Sequence, residues 1–301
     1  MKWVRKYFTA MGGDNEIVLV APDDTLATLA TEAAISEVLR IEGKYSRYRK
    51  DSELSQINSA AGKPSAIFCD EETVWLLNFA DTLYRQSDGL FDITSGILRG
   101  AWDFSHAAVP SVDTLAPLLK LVGWEKIERH SNSIRLPLVG MEIDFGGFGK
   151  EYASDRAASV LSKMGITHGY VNLGGDICVI GPQPDGKPWL IGIQNPRRQG
   201  SVVATIPISR GALATSGDYE KYFSLNGKRY CHVLNPKTGY PVDYWSSVSV
   251  LAPLTIVAGS YSTITMLKES AGLQFLEEAQ VPYLGVDVQA QVFTNAFHPP
   301  E

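Results

Sequence analysis

Three cysteines in 301 residues, Cys69, Cys178 and Cys231, are too few and too scattered for a disulfide framework, and none forms a Cys-x-x-Cys pair. Long hydrophobic runs are missing too. Ile17 to Ala21 and Val248 to Pro253 fall far short of a bilayer's thickness, so no segment reads as transmembrane. Lys2, Arg5 and Lys6 are followed by no apolar stretch of the kind a secretory signal needs. The chain as it stands therefore points to a cytoplasmic protein, or to a periplasmic one from which an export signal has been removed. Positive charge is in short supply: 27 Lys and Arg against 33 Asp and Glu leave a net charge of -6. With no local basic run, a nucleic-acid partner is not expected.

The common catalytic motifs are absent as well. None of the five histidines sits in His-Glu-x-x-His, and the chain has no Walker phosphate loop, no Gly-x-Ser-x-Gly elbow and no Gly-x-Gly-x-x-Gly fingerprint. Zinc-hydrolase and hydride-transfer chemistry lose their support. What remains is an ordinary globular composition, 45% hydrophobic and 20% charged, with 27 glycines and 16 prolines spread along the chain.

Periodicity predicts a first strand over Glu16–Val20 and helices over Thr25–Ile41, Glu71–Ser87 and Glu151–Met164. Asp23 and Asp24 suit the first N-terminus and Gly165 the last C-terminus. Tyr170–Leu173 and Asp176–Ile180 around Gly174-Gly175 read as a hairpin. Further strands are expected over Pro188–Gln194 and Val202–Ile208, helices over Val257–Lys268 and Leu273–Gln280, and a closing hairpin from Tyr283–Val288 and Val292–Ala296. Hairpins mixed with helices favour α+β over an alternating parallel sheet.

Four glycine-rich segments stand out: Asp144-Phe-Gly-Gly-Phe-Gly-Lys150, Asn172-Leu-Gly-Gly-Asp176, Thr215-Ser-Gly-Asp-Tyr219 and His232-Val-Leu-Asn-Pro-Lys-Thr-Gly239. Glycine lets backbone N–H groups approach a phosphate, and a helix start favours an anion. Each alone has a plainer reading: a strand-to-helix turn at Gly146-Gly147, a solvated Lys150, a hairpin turn at Gly174-Gly175, hydroxyls of Thr215-Ser216 capping a turn, a packed His232, a turn at Asn235–Gly239. Their joint occurrence favours a shared phosphate-bearing ligand.

In this order, and together with Ala10-Met-Gly-Gly13, Ser46-Arg-Tyr-Arg-Lys-Asp-Ser-Glu-Leu-Ser-Gln-Ile-Asn58, Asp88-Gly-Leu-Phe-Asp-Ile-Thr94 and Ala252-Pro253, these segments resemble the FAD:protein FMN transferases, the ApbE family, over about residues 5–270. The resemblance implies a single domain over 1–301 with an α+β fold, mixed or antiparallel sheets flanked by helices in two interlocked lobes. It implies that FAD is held by Met11, Tyr48, Leu90, Phe91, Asp92, Asp144, Lys150 and Leu234. Met11, Tyr48 and Phe91 would offer flat apolar contact, and Asp92 or Asp144 would accept from ring or ribose. The implied reaction is attack of a Thr or Ser hydroxyl of an acceptor flavoprotein on the FMN-side phosphorus of FAD, releasing AMP. His232 matches the family's histidine and is the candidate base, Thr263 the second catalytic position, with Asp218 and Tyr219 in support.

The family pattern also implies Mg²⁺, bound by an acidic residue and a threonine of an Ala-Asp-x-x-Asp/Ala-Thr segment and by a carbonyl of the glycine-rich turn. Here that segment reads Ala258-Gly-Ser-Tyr-Ser-Thr263. Gly259 stands at the acidic position and Ser262 at the second, leaving Thr263 and the Gly147 carbonyl. Losing a carboxylate should weaken the affinity for a hard cation, although FAD phosphates could still recruit Mg²⁺. Asn235 likewise replaces a usual aspartate. Two alternatives therefore stand beside the transferase: a non-enzymatic FAD-binding protein or flavin carrier, and an FAD pyrophosphatase yielding FMN and AMP.

Overall fold

The chain begins with a hairpin, β1 (Lys2–Ala10) against β2 (Gly13–Ala21), joined by Met11 and Gly12 alone, with φ of 56° and 78°. Two consecutive positive φ values match the twist of a tight hairpin. A computed structural model describes residues 1–295, and the end of the closing hairpin predicted at Ala296 lies outside them. β1 is a strand that the sequence reading passed over, because it lies at the sheet edge with Lys2, Arg5, Lys6 and Tyr7 all exposed and shows no apolar alternation.

The elements that follow are α1 (Asp24–Tyr45), α2 (Glu53–Ser59), β3 (Ile67–Phe68), α3 (Glu71–Gln86), a 3-10 helix (Ile93–Gly100), α4 (Val112–Leu119), β4 (Glu128–His130) and β5 (Ser133–Arg135). Then come α5 (Gly149–Lys163), β6 (His168–Leu173), β7 (Asp176–Gly181), β8 (Trp189–Gln194), β9 (Val202–Ile208), β10 (Gly211–Gly217), β11 (Tyr222–Leu225) and β12 (Lys228–Cys231). The last are β13 (Trp245–Ala252), α6 (Thr255–Lys268), α7 (Gly272–Glu278), β14 (Tyr283–Asp287) and β15 (Val292–Thr294).

Eight strands form one antiparallel sheet in the order β1-β2-β6-β7-β10-β13-β14-β15. One face carries α1, α5 and α6 over the larger core. The other is covered by the β8–β9 ribbon, whose Trp189, Ile191, Ile193, Ala204, Ile206 and Ile208 pack with Val179, Leu213 and Leu284. β7 is buried along its length, as a strand sandwiched on both faces must be. The expected α+β architecture is the one observed. β3, β5 and β4 make a small separate sheet. Strands of two or three residues leave too little periodicity to read in advance.

α1 packs on α5 through a stripe of small side chains, Ala27, Ala30, Thr31 and Ala34, continued by Val38 and Ile41. Leu29 lies off this stripe and is 53% exposed. The helix runs one turn past its predicted end because Tyr45 is buried edge-on against Phe145 (5.3 Å) and Lys44 pairs with Glu72 at 2.8 Å. Asp23 caps its start by accepting from the Leu26 N–H at 2.8 Å.

The join between α5 and α6 positions everything that follows. α6 has no capping side chain of its own; Asp155 of α5 accepts from the Thr255 and Ile256 N–H groups at 2.8 and 2.9 Å. One turn back along α5 stands Glu151, and one turn on along α6 stands Gly259, which it touches. A further step of that size leads off α5 to the turn at Gly147 and along α6 to Thr263.

Candidate active site

Two clusters of polar side chains flank the 144–150 turn. In the first, Asp144 receives Arg47 and Arg99, and its other oxygen accepts from the Gly146 N–H at 2.9 Å, fixing the turn. Asn58 clamps the approach to it, donating to the Ile143 carbonyl at 2.9 Å and accepting from its N–H at 2.8 Å. Arg47 also reaches Tyr48, donating to the hydroxyl at 2.8 Å with its guanidinium 4.8 Å from the ring centre. The Arg47 hydrogen bond, joined by the charges of Arg47, Lys221 and Arg99, holds the Tyr48 pKa below the ordinary tyrosine value against some desolvation. The ring itself is 80% exposed.

The third motif behaves differently from its sequence reading. Phe91 is only 5% exposed, stacks on Phe148 (6.1 Å, 15°), and lies so close to Gly147 that a Cβ there would be 2.8 Å from its ring. It is a core residue and offers no free ring face. Asp92 is spent internally too. One oxygen accepts from the Thr94 N–H and hydroxyl at 2.8 and 2.7 Å, the other from the Trp124 N–H at 3.0 Å. Its carboxylate braces the segment; it has no free oxygen for a ring or ribose donor. Leu90, Met11 and Leu234 are half-buried apolar side chains. The Met11 N–H donates to Glu42 at 2.6 Å, and Lys237 donates to the Asp88 carbonyl at 2.9 Å, which brings the Leu234 loop to the Leu90 loop.

The second cluster lies beyond the turn. Lys150 pairs with Asp176 at 2.7 Å, and Asp176, nearly fully buried, also accepts from the Thr215 N–H at 3.1 Å. Desolvation opposes the Lys150 ammonium, but Asp176 and Glu151 outweigh it and its pKa is raised. Glu151 experiences the opposite: burial, then repulsion from Asp176, push its carboxyl well above the usual range despite Lys150.

Thr215 and Ser216 lie inside β10 and do not cap a turn; the strand carries their hydroxyls to neighbouring elements. Thr215 Oγ1 lies 2.7 Å from Ser249 Oγ, and Ser216 Oγ lies 2.9 Å from Thr263 Oγ1. The Ser216 N–H donates to Ser262 at 2.7 Å. Asp218 is the centre of a structural lock: Arg197 donates to both its oxygens at 2.6 and 2.7 Å, and Arg229 approaches at 3.2 Å. Burial pushes Tyr219 up to about 12, so its hydroxyl stays protonated.

His232 directly follows β12. It is exposed at the surface, yet neighbouring atoms partly desolvate the ring. Desolvation, reinforced by the charges of Lys221 and Lys150, sets its pKa below the ordinary histidine value. Lys221 carries the connection between the clusters, since its carbonyl accepts from the His232 N–H at 3.0 Å and its charge acts on Tyr48. The turn Asn235–Gly239 is a closed loop, with the Gly239 N–H donating to the Asn235 carbonyl at 2.8 Å and the Lys237 N–H to its side chain at 2.9 Å.

For a cation the donors are oxygens. Glu151 is buried with its Oε2 unpartnered, and the Thr263 hydroxyl lies one turn from Gly259. Among the described residues no group of three or more His, Cys, Asp or Glu forms a ready-made cage. One or two carboxylates completed by substrate phosphates is the arrangement magnesium favours, so the residues fit such an ion. Glu151, Asp176, Arg47, Arg99 and Lys221 were not singled out from the sequence, although Glu151 directly follows Lys150 and Asp176 closes one of the glycine-rich motifs.

Among the described residues no helix is long and apolar enough to cross a membrane. The ApbE family pattern matches residues 11–284. An FAD:protein FMN transferase of Haemophilus influenzae is 32% identical over 267 residues, covering 84% of this chain and 77% of that protein. One of Vibrio cholerae is 33% identical over 266 residues, covering 85% and 78%. Among solved structures, the ApbE protein of Thermotoga maritima has a TM-score of 0.89 at 29% identity, covering 98% of this chain and 97% of the other. The flavin transferase ApbE of Vibrio cholerae has a TM-score of 0.84 at 26% identity, covering 98% and 97%.

Proposed function

The chain belongs to the ApbE family, and from that membership and the polar clusters flanking its glycine-rich turn we propose that it is an FAD:protein FMN transferase. It moves FMN from FAD to a Thr or Ser hydroxyl of an acceptor flavoprotein and releases AMP. The observation that carries this reading is the pair of groups on either side of the glycine-rich 144–150 turn: the exposed Tyr48 ring with Arg47 on Asp144, and Lys150 on Asp176. An exposed ring and a lysine flanking a glycine-rich turn suit a flat ring followed by a pyrophosphate.

Tyr48 stacks on an aromatic ring of FAD, with Met11, Leu90 and Leu234 giving apolar contact. Phe91 and Asp92 hold the Leu90 segment and the 144–150 turn from behind, and Asp144, held by its two arginines, keeps the N–H groups of that turn in place. Lys150 and Lys221 bring positive charge to the phosphates. His232 accepts the proton of the acceptor hydroxyl as its oxygen attacks the FMN-side phosphorus. The bond from that phosphorus to the bridging oxygen breaks, and the oxygen departs with AMP. A histidine with a depressed pKa is in its basic form at neutral pH, as this role requires. When bound near Glu151 and Thr263, Mg²⁺ would supply further neutralisation of the pyrophosphate charge.

The test is to incubate the protein with FAD, Mg²⁺ and a candidate acceptor and to follow both AMP release and flavin fluorescence that persists on the denatured acceptor. Transfer requires both signals in equal amount. AMP released without bound flavin would instead support a pyrophosphatase, and FAD binding with neither signal a carrier.

A further inference from the structure

Gly259 leaves no empty space on α6. A Cβ at that position would lie 2.6 Å from Glu151 Cγ, 2.8 Å from its Oε1 and 3.0 Å from its Cδ. The side chain of Glu151 therefore fills the volume into which any larger residue at 259 would grow. It arrives from the neighbouring helix because the Asp155 cap holds α5 and α6 in that register.

What Glu151 does there is not explained by packing. It is 8% exposed, and its Oε2 meets no hydrogen-bond partner. Lys150, the nearby cation, is already paired with Asp176 at 2.7 Å. A second carboxylate buried beside Asp176 is costly unless a positive charge compensates both. One turn beyond Gly259 on α6, the Thr263 hydroxyl lies 2.9 Å from that of Ser216, and both are hard oxygen donors.

We propose that Glu151 is the carboxylate ligand of a divalent-cation site, delivered from α5 through the space that Gly259 leaves open on α6. Thr263 contributes its hydroxyl, and phosphate oxygens of the bound dinucleotide complete the shell. Gly259 is then no gap in the metal site; its missing side chain is the condition for Glu151 to enter. The proposal rests on the flavin-transfer reading for the identity of the phosphates, but the carboxylate itself can be tested apart from it.

The experiment is a titration of the full chain with Mn²⁺, followed by electron paramagnetic resonance, with and without FAD. The unmodified protein is compared with Glu151→Gln, Gly259→Asp and the double variant Glu151→Gly/Gly259→Asp. Glu151→Gln keeps the shape of the side chain, and its metal-free FAD affinity and melting curve report whether the fold and the flavin site survive. With those unchanged, Mn²⁺ affinity should fall by roughly tenfold or more, as expected for a lost carboxylate ligand. Gly259→Asp alone should gain nothing, since its side chain collides with Glu151, whereas the double variant should recover most of the affinity. Unaltered Mn²⁺ affinity in Glu151→Gln, or tighter binding in Gly259→Asp alone, would overturn the proposal. Failure of the unmodified chain to bind FAD would overturn the flavin reading instead, and the titration without FAD would still decide the role of Glu151 by the same comparison.

Discussion

Replacing Gly259 by alanine adds one methyl group and no charge, yet the sign of its effect should depend on a residue in another helix. Within α6 an alanine is favoured over glycine by about 1 kcal/mol. In this structure the new carbon would meet Glu151 at 2.6 Å, and the nearest atom is Cγ, so the whole buried side chain must move and not merely its tip. Overpacking of this kind costs about 1–3 kcal/mol. The two effects leave a net loss of up to about 2 kcal/mol in the unmodified protein. In a Glu151→Ala background the obstruction is gone, and the same substitution should stabilise by about 1 kcal/mol. Urea unfolding of the four proteins in this double-mutant cycle gives the coupling directly. If Gly259→Ala stabilises both backgrounds equally, Glu151 does not occupy the space beside Gly259 and the reasoning fails.

The exposed Tyr48 ring should be worth little to the fold and much to the ligand: Tyr48→Ala should weaken FAD binding about tenfold, the lower range of a stacking contact, with an unchanged melting temperature. Asp218→Ala should destabilise by about 3 kcal/mol in chemical denaturation, because it strands Arg197 and Arg229 without the carboxylate they share. For His232, burial disfavours the cation, so the neutral base persists below the ordinary pKa of 6.5. The acid limb of the transfer rate should have its midpoint under 6.5, and Lys221→Met should move it upward by removing a repelling charge.

The larger helices and the central hairpins were legible because burial on one face imposes a period on the residues. Helices from Glu71, Gly149 and Thr255 and the β6–β7 hairpin lie close to their predicted limits, and the helix from Asp24 starts at its own. β1 was not legible, being an exposed edge stabilised by its pairing with β2, nor was the β3-β5-β4 sheet, whose strands are too short for a pattern. The motif residues were found by their order along the chain, but order does not reveal orientation. Phe91 and Asp92 turned inward, Tyr48 stayed outside, and Thr215 and Ser216 proved to be strand residues reaching across to β13 and α6. Gly259 was read from its own position alone as a lost carboxylate. Only the register of α5 against α6, set by Asp155, shows that another carboxylate stands in the same place.

The most direct test of the central claim is the intact mass of an acceptor flavoprotein after incubation with this protein, FAD and Mg²⁺. The acceptor should gain one FMN phosphoester at a single Thr or Ser, matched by an equal amount of AMP, and the gain should be lost in the His232→Ala variant. An acceptor of unchanged mass, under conditions in which a transferase of known activity modifies it fully, would contradict the account.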